Sequence, residues 1–287
     1  MNGFLILDKP EGLTSAQCVY KLRSKLGIKK IGHCGTLDPL ATGLLPVCIG
    51  EATKFSAFTS NLDKVYQVEI EFGIETDTGD ITGKIVSKTD FPGFEEDFPQ
   101  FLAELEGIQN QIPPMYSAIK TDGYPLYYWA RKGVYLHRVP RKVDIQKIEL
   151  IDKSNKAAIL QISCSKGTYI RSLVEKLGRN LNSTATVISL RRLKVGEMCL
   201  NQSYSFKDSH QSLIDKVLPC DAMLTNLDKV RIKSEDAKKV RNGLSIYYNA
   251  ELKNKGLVRI YTEKKLFLGI GELSNKKLQP KRLLSTN

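Results

Sequence analysis

Residues Gly32 to Leu45 read G-H-C-G-T-L-D-P-L-A-T-G-L-L and present one carboxylate, Asp38, among three glycines and a proline. Glycine lets backbone come close to a ligand, and proline biases the residue before it toward extended conformations, so Asp38 sits on a constrained bend. A carboxylate held in that way can serve as a nucleophile or a base. A structural reading competes: Asp-Pro is an ordinary helix start, with Asp38 as N-cap, Pro39 at the first helical position and Leu40 to Leu45 as the helix. His33 and Cys34 lie just upstream, but no other Cys or His stands at ligand spacing, so no metal site is expected.

Other groups able to do chemistry are spread along the chain. Tyr66 heads an alternating run in which Tyr66, Val68, Ile70 and Phe72 share one face and Gln67, Glu69 and Glu71 the other. That spacing predicts a half-buried strand, where a tyrosine is ordinarily a core residue with a satisfied hydroxyl. Arg171 falls in the first turn of a helix whose Ile170, Leu173, Val174, Leu177 and Leu181 point inward. Its plain role there is an ion pair with Glu175, four residues on. Thr168 reads as the N-cap of that helix, and Lys166 with the free first-turn amides makes an anion-friendly corner. Residues 116 to 147 interleave Tyr116, Tyr124, Tyr127, Tyr128, Trp129 and Tyr135 with 7 Lys and Arg against 2 Asp and Glu. Aromatic faces stack on bases while cations meet phosphates, a composition suited to loop or single-stranded RNA. Leu126, Trp129, Ala130 and Val134 also space as the core stripe of a helix, so one face is expected to pack and the other to reach RNA.

The whole Gly32–Leu45 string resembles the loop G-H-x-G-x-L-D-P-x-A-T-G-x-L around the catalytic aspartate of the TruB family, the bacterial tRNA pseudouridine-55 synthases. The resemblance extends, in order, to Leu7-Asp8-Lys9-Pro10, to Asp63-Lys64-Val65-Tyr66, to Gln111 through Lys120, to Ser165-Lys166-Gly167-Thr168-Tyr169-Ile170-Arg171 and to Val187 through Val195, about 200 of the 287 residues. It implies that Asp38 is catalytic, that Arg171 pairs with it, and that Tyr66 packs on the target uracil. It also implies that His33 contacts the folded RNA loop, that Tyr169 lies against the nucleotide, and that Leu190 sits against the base. The implied reaction isomerises uridine 55 of the tRNA T-loop to pseudouridine with no cofactor, which agrees with a sequence holding no nucleotide-binding fingerprint. Acting on a base in this way requires that the base leave its stack, and His33 could fill the vacated space. The other reading is a stand-alone RNA-binding or tRNA-folding protein that keeps the scaffold without catalysis.

The elements that must position these residues follow from pattern. Residues 3 to 7 read as a short buried strand. Thr14 and Gln17 form a capping box before a helix with Val19, Leu22 and Leu26 inward, and Gly27 sits at its C-cap. Residues 98 to 106 read as an amphipathic helix, and 158 to 164 and 187 to 195 as strands. Past residue 220 short strands recur, including 256 to 262 and 266 to 270. The fold class implied is α+β: a pseudouridine synthase domain with a mixed, mainly antiparallel central sheet flanked by helices, over residues 1–218, with an RNA-clamping insertion at about 116–147. A small C-terminal PUA-like β-barrel is expected over 219–287.

Composition agrees with these expectations. The net charge of +12 is uneven, since residues 221 to 287 hold 15 Lys and Arg against 7 Asp and Glu. Basic excess gathered in patches fits a polyanionic partner, here the tRNA T-arm. No apolar run approaches a membrane span and no basic region precedes the first apolar stretch, so a cytoplasmic protein without membrane association is expected. Six scattered cysteines read as reduced small hydrophobes. The long basic-aromatic insertion argues for a monomer that grips tRNA without a guide RNA.

Overall fold

The computed structural model describes residues 1–94, 98–249 and 256–285. Alternation of apolar and polar residues sets up its centre. Lys64–Phe72 is a strand with every second side chain buried, from Lys64 and Tyr66 through Val68 and Ile70 to Phe72. It lies inside a nine-stranded sheet whose main path runs Gly3–Lys9, Thr42–Ile49, Ala185–Val195, Lys64–Phe72, Ala157–Cys164, Arg141–Ser154 and Gly107–Gln111. Two short strands, Ile31–His33 and Met198–Cys199, pair beside it. The sheet is mixed and mainly antiparallel, because among its described strands only Thr42–Ile49 and Ala185–Val195 run parallel to each other.

Two helices cover one face and share a core with it. The first, Ser15–Leu26, starts at a capping box between Thr14 and Gln17 and ends at Gly27 with φ of 67°, a left-handed value that glycine adopts without strain. Its Cys18, Val19, Leu22 and Leu26 are buried with Val68, Ile70 and Phe72. The second, Ile170–Asn180, buries Leu173, Val174 and Leu177 in the same core. Burial of each such side chain is worth about 1.5–3 kcal/mol, so these two stripes fix both helices to the sheet. Phe72, Phe91, Phe94 and Phe98 close that core in stacked and edge-on contacts.

Two irregularities decide what faces the future site. Between Val187 and Ser189 the register against Lys64–Phe72 slips, so Ile188 is an extra residue. Simple alternation from Val187 would point Ser189 and Arg191 inward. The bulge moves the inward positions to Leu190 and Arg192, which oppose Val68 and Tyr66. The second irregularity is Gly43, with φ of 95° and a backbone so close to Arg192 that a Cβ there would sit 2.3 Å from its carbonyl oxygen. Helix formation after Asp38 does not occur: the chain turns once at 38–41 and enters the strand Thr42–Ile49. The loop therefore feeds directly into the sheet. The alternative of Asp38 as a helix cap falls with it.

Beyond these elements Asp228–Ile232, Ile246–Tyr247, Gly256–Thr262, Phe267–Ser274 and Lys277–Leu283 form a separate five-stranded sheet with the short helix Ser234–Arg241. It has its own core of Val230, Ile232, Val258, Ile260 and Leu278. A second apolar cluster joins it to the edge of the large sheet, where Ile270 meets Phe4, Leu44, Phe55, Met223 and Leu224. Replacing Gly43 with Ala should force both a disfavoured φ and a backbone collision. The expected cost is about 2–4 kcal/mol. Urea unfolding measures it, and a midpoint equal to that of the wild type would contradict this packing.

Candidate active site

The Asp38 loop is held from below by a lysine with no contact to solvent. Lys9, 0% exposed, donates to the carbonyls of Pro10, Pro39 and Ala41 at 2.9, 3.1 and 2.6 Å. Ser15 secures the other side, donating to Leu37 O and accepting from Leu37 N–H. The bend suspected from glycine and proline is thus fixed by ammonium and hydroxyl groups of the first strand and helix.

Above the loop a cavity of about 330 Å³ opens, lined by Asp38, Tyr66, Ser117, Tyr169, Arg171, Leu190 and Arg192 among others. Five of the six residues singled out from sequence therefore meet in one place. His33 lines a neighbouring space of about 480 Å³ that shares Asp38 and Arg171 and also takes in Tyr116, Tyr127 and Arg131. Its Nδ1 is buried without a partner among the described residues, and burial followed by the charge of Arg192 lowers its pKa.

Arg171 is the link between segments. Its Nη2 lies 3.0 Å from Asp38 Oδ2 and donates to Tyr116 O at 2.8 Å, while Nη1 donates to Thr78 O. Its Nε faces Asp80 at 4.0 Å. The pair with Glu175 expected from helical spacing does not form, because the guanidinium turns toward the loop. Thr168 is not the N-cap either: its hydroxyl donates to Ser165 O and Tyr169 takes the cap position. Lys166 is engaged with the Asn61 side chain, so the expected anion corner is in part occupied.

Electrostatics at Asp38 combine opposing effects. Burial pushes its carboxyl above the ordinary range, Arg171 pulls it down by charge and hydrogen bond, and Asp80 adds to the rise. Burial is the larger effect, although a third of the Asp38 side chain still faces the cavity (35%). Tyr66 keeps its proton because burial raises its pKa, with Arg192 opposing. Lys64, hydrogen-bonded to Ser60 O and to Leu62 O, is brought down to about 8 by burial and then by Arg192.

Sequence reasoning passed over several of these participants. Asp80 lies in a turn-rich run that no spacing singles out, yet it is 6% exposed, accepts hydrogen bonds from Thr78 and Thr82, and faces Arg171. Gln111 closes a two-way amide bridge to the backbone of Tyr169, accepting at 2.8 Å and donating at 3.0 Å. Its place in the quoted Gln111–Lys120 stretch was the available signal. Among the described residues no cluster of His, Cys, Asp and Glu forms a metal cage.

Residues 23–170 match the family model for TruB family pseudouridylate synthase, N-terminal domain, and residues 229–284 the model for pseudouridine synthase II TruB, C-terminal. The chain is similar to the tRNA pseudouridine synthase B of Dechloromonas aromatica (strain RCB), 40% identical over 99% of this chain and 96% of that protein. It is also similar to the one from Buchnera aphidicola subsp. Schizaphis graminum, 42% identical over 99% of this chain and 96% of that protein. Among solved structures, a chain in an H/ACA RNP bound to a substrate RNA containing 2'-deoxyuridine shares the fold, with TM-score 0.76 and 22% identity over 99% of this chain and 85% of that one.

The balance at Asp38 yields a sign that can be checked. A carbon-13 NMR titration of its carboxyl should give a midpoint above that of an ordinary aspartate. Arg171→Gln should raise the midpoint further, and Asp80→Asn should lower it, because these changes remove a lowering and a raising partner respectively. Movement of either variant in the opposite direction would contradict this account of the charges.

Proposed function

Because this chain belongs to the TruB family of pseudouridylate synthases, an enzyme family that converts uridine to pseudouridine in tRNA, we propose that it acts on uridine 55 in the T-loop, with Asp38 as its catalytic carboxylate. The observation that carries this reading is the convergence of Asp38, Arg171, Tyr66 and Leu190, from four separate segments, on one cavity. The isomerisation breaks the bond between C1′ and N1, turns the uracil, and joins C5 to C1′. The proton of C5 leaves and N1 gains one, so product and substrate have the same composition. Asp38 takes part as an anion, either attacking C1′ or removing a proton from C2′; in both routes the uracil departs with the bonding pair.

The remaining residues have matching tasks. Arg171 orients the carboxylate and, by ion pairing, favours its ionised form against burial. Tyr66 offers a face for the ring and a hydroxyl, and Leu190 closes the opposite side. Tyr169, fixed by Gln111, lies against the nucleotide. His33 occupies the space that the extruded base leaves in the RNA loop, supported by its position in the cavity next to Asp38.

Direct recognition of the T-arm, by a monomer without guide RNA, is supported by the segment around Leu126–Arg131. Leu126 and Ala130 pack inward, while Tyr124, Tyr127 and Tyr135 are exposed. Tyr124 stacks on Tyr128 at 4.7 Å, and Arg131 and Lys132 lie over the rings of Tyr127 and Tyr128. Such a surface offers stacking faces and phosphate partners together. The basic second sheet supplies further contacts to phosphate, with Lys264 and Lys265 at the turn before Phe267–Ser274. Among the described residues no helix is long and apolar enough to cross a membrane, in keeping with action on cytoplasmic tRNA.

An unmodified tRNA transcript should acquire pseudouridine at position 55 with the wild-type protein and acquire none with Asp38→Asn, while both bind the tRNA. Binding without product in the wild type would favour an RNA-folding role, and an active variant would remove Asp38 from the chemistry. Lys264→Glu together with Lys265→Glu should weaken tRNA binding and reduce the slope of log affinity against log salt by roughly 1 to 2. Equal affinities across a salt series would exclude that contact.

A further inference from the structure

The region around the cavity carries more positive charge than the ion pair needs. Lys9, Lys64, Arg171 and Arg192 are all buried there, against Asp38 and Asp80. Arg171 accounts for both carboxylates. Arg192 is 1% exposed and no carboxylate pairs with it among the described residues. Its Nε donates to Leu44 O at 2.7 Å and its Nη2 to Gly35 O at 3.1 Å, so carbonyl dipoles solvate it while its formal charge remains. Enclosing an unpaired guanidinium is costly, and the bulge at Ile188 and the bare backbone of Gly43 both serve to put it there.

Its position says what that charge faces. Arg192 is the cross-strand partner of Tyr66, so their side chains stand on one face about 5 Å apart at Cβ, and both line the cavity. The guanidinium can only donate. Where it donates to the Tyr66 oxygen, the hydroxyl proton is left free to point into the cavity.

We propose that Arg192 is a positioning residue that, through the hydroxyl of Tyr66, stabilises the negative charge on the uracil as it leaves C1′. The proposal rests on the isomerase reading given above. When the C1′–N1 bond breaks, its electron pair enters the uracil ring and spreads over N1, O2 and O4. The Tyr66 hydroxyl donates a hydrogen bond to that anion, and Arg192 polarises the hydroxyl from behind without giving up a proton. The ring then turns, C5 bonds to C1′, and the C5 proton is lost as N1 is protonated. Fixed dipoles and charges aimed at developing charge in a water-poor site are among the larger sources of rate enhancement. Arg192 also ties the Gly35 carbonyl of the Asp38 loop to the strand Thr42–Ile49, and a purely structural strut is the alternative to be separated.

Leaving-group chemistry separates them. Two tRNA transcripts are compared, one with uridine and one with 5-fluorouridine, whose fluorine withdraws electron density and stabilises the departing anion. Loss of the original N1-linked nucleoside at position 55 is followed under single-turnover conditions by mass spectrometry of nuclease digests. Arg192→Gln should slow uridine cleavage by about 10²-fold. The same variant should raise the ratio of the fluorinated to the unmodified rate by at least about tenfold over wild type, with tRNA affinity unchanged. Equal slowing of both substrates would overturn the proposal in favour of the strut, and so would unchanged rates. Should Arg192→Gln fail to fold, Tyr66→Phe removes the relay itself and must raise the same ratio; an unaltered ratio there overturns the proposal. A wild-type protein that cleaves neither substrate would instead overturn the isomerase reading, and this proposal with it.

Discussion

A single buried guanidinium decides how this chain closes around its cavity. Arg171 reaches Asp38 from one helix while holding the carbonyls of Thr78 and Tyr116 and facing Asp80. Taking such a group out of water is unfavourable unless its donors are met, and no neighbour along its own helix meets them. The glycine-rich loop, the turn before Asp80 and the start of the basic-aromatic insertion must therefore converge on it. The helix that carries Arg171 is in turn fixed by its apolar stripe and by the amide bridge from Gln111 to Tyr169. Packing energy thus supplies the anchorage, and the ion pair supplies the specificity of arrangement.

The same economy explains the unusual number of enclosed cations. Lys9 uses all three of its protons on carbonyls, two of which belong to the turn that follows Asp38. It acts as a rigid post under the carboxylate and not as a partner to it. Arg192 does related work on the opposite wall, joining the loop at Gly35 to the strand at Leu44. The carboxylate consequently sits in a field of positive charge whose effect burial, with Asp80, outweighs. That balance leaves Asp38 above the usual carboxylate range, with Arg171 preventing a larger rise.

Much of the architecture was legible because it is local. The Thr14 capping box, the αL glycine at 27 and the alternation through Tyr66–Phe72 depend on residues within a few positions of one another. At several positions a local option lost to a distant one. Thr168 could cap its helix, but Ser165 O takes its proton; Arg171 could pair with Glu175, but Asp38 and two carbonyls surround it. Asp-Pro could begin a helix at Asp38, but a lysine thirty residues upstream holds that turn and the following residues extend into the sheet. Asp80 and Arg192 gave no local sign of their roles, and Gln111 only its place in a matching stretch, since each is defined by a partner on another element.

The amino-acid sequence by itself therefore determined the family resemblance, the order of the elements, the unequal distribution of charge, and which residue types would be available for chemistry. Those properties follow from short-range spacing, where side-chain periodicity and turn preferences act directly. Only the tertiary structure decided which of these residues share a cavity, which way Arg171 turns, and that a one-residue bulge aims Leu190 and Arg192 inward. Such outcomes depend on long-range competition to satisfy buried donors, charges and apolar surface at once, and no window of sequence contains all the competitors.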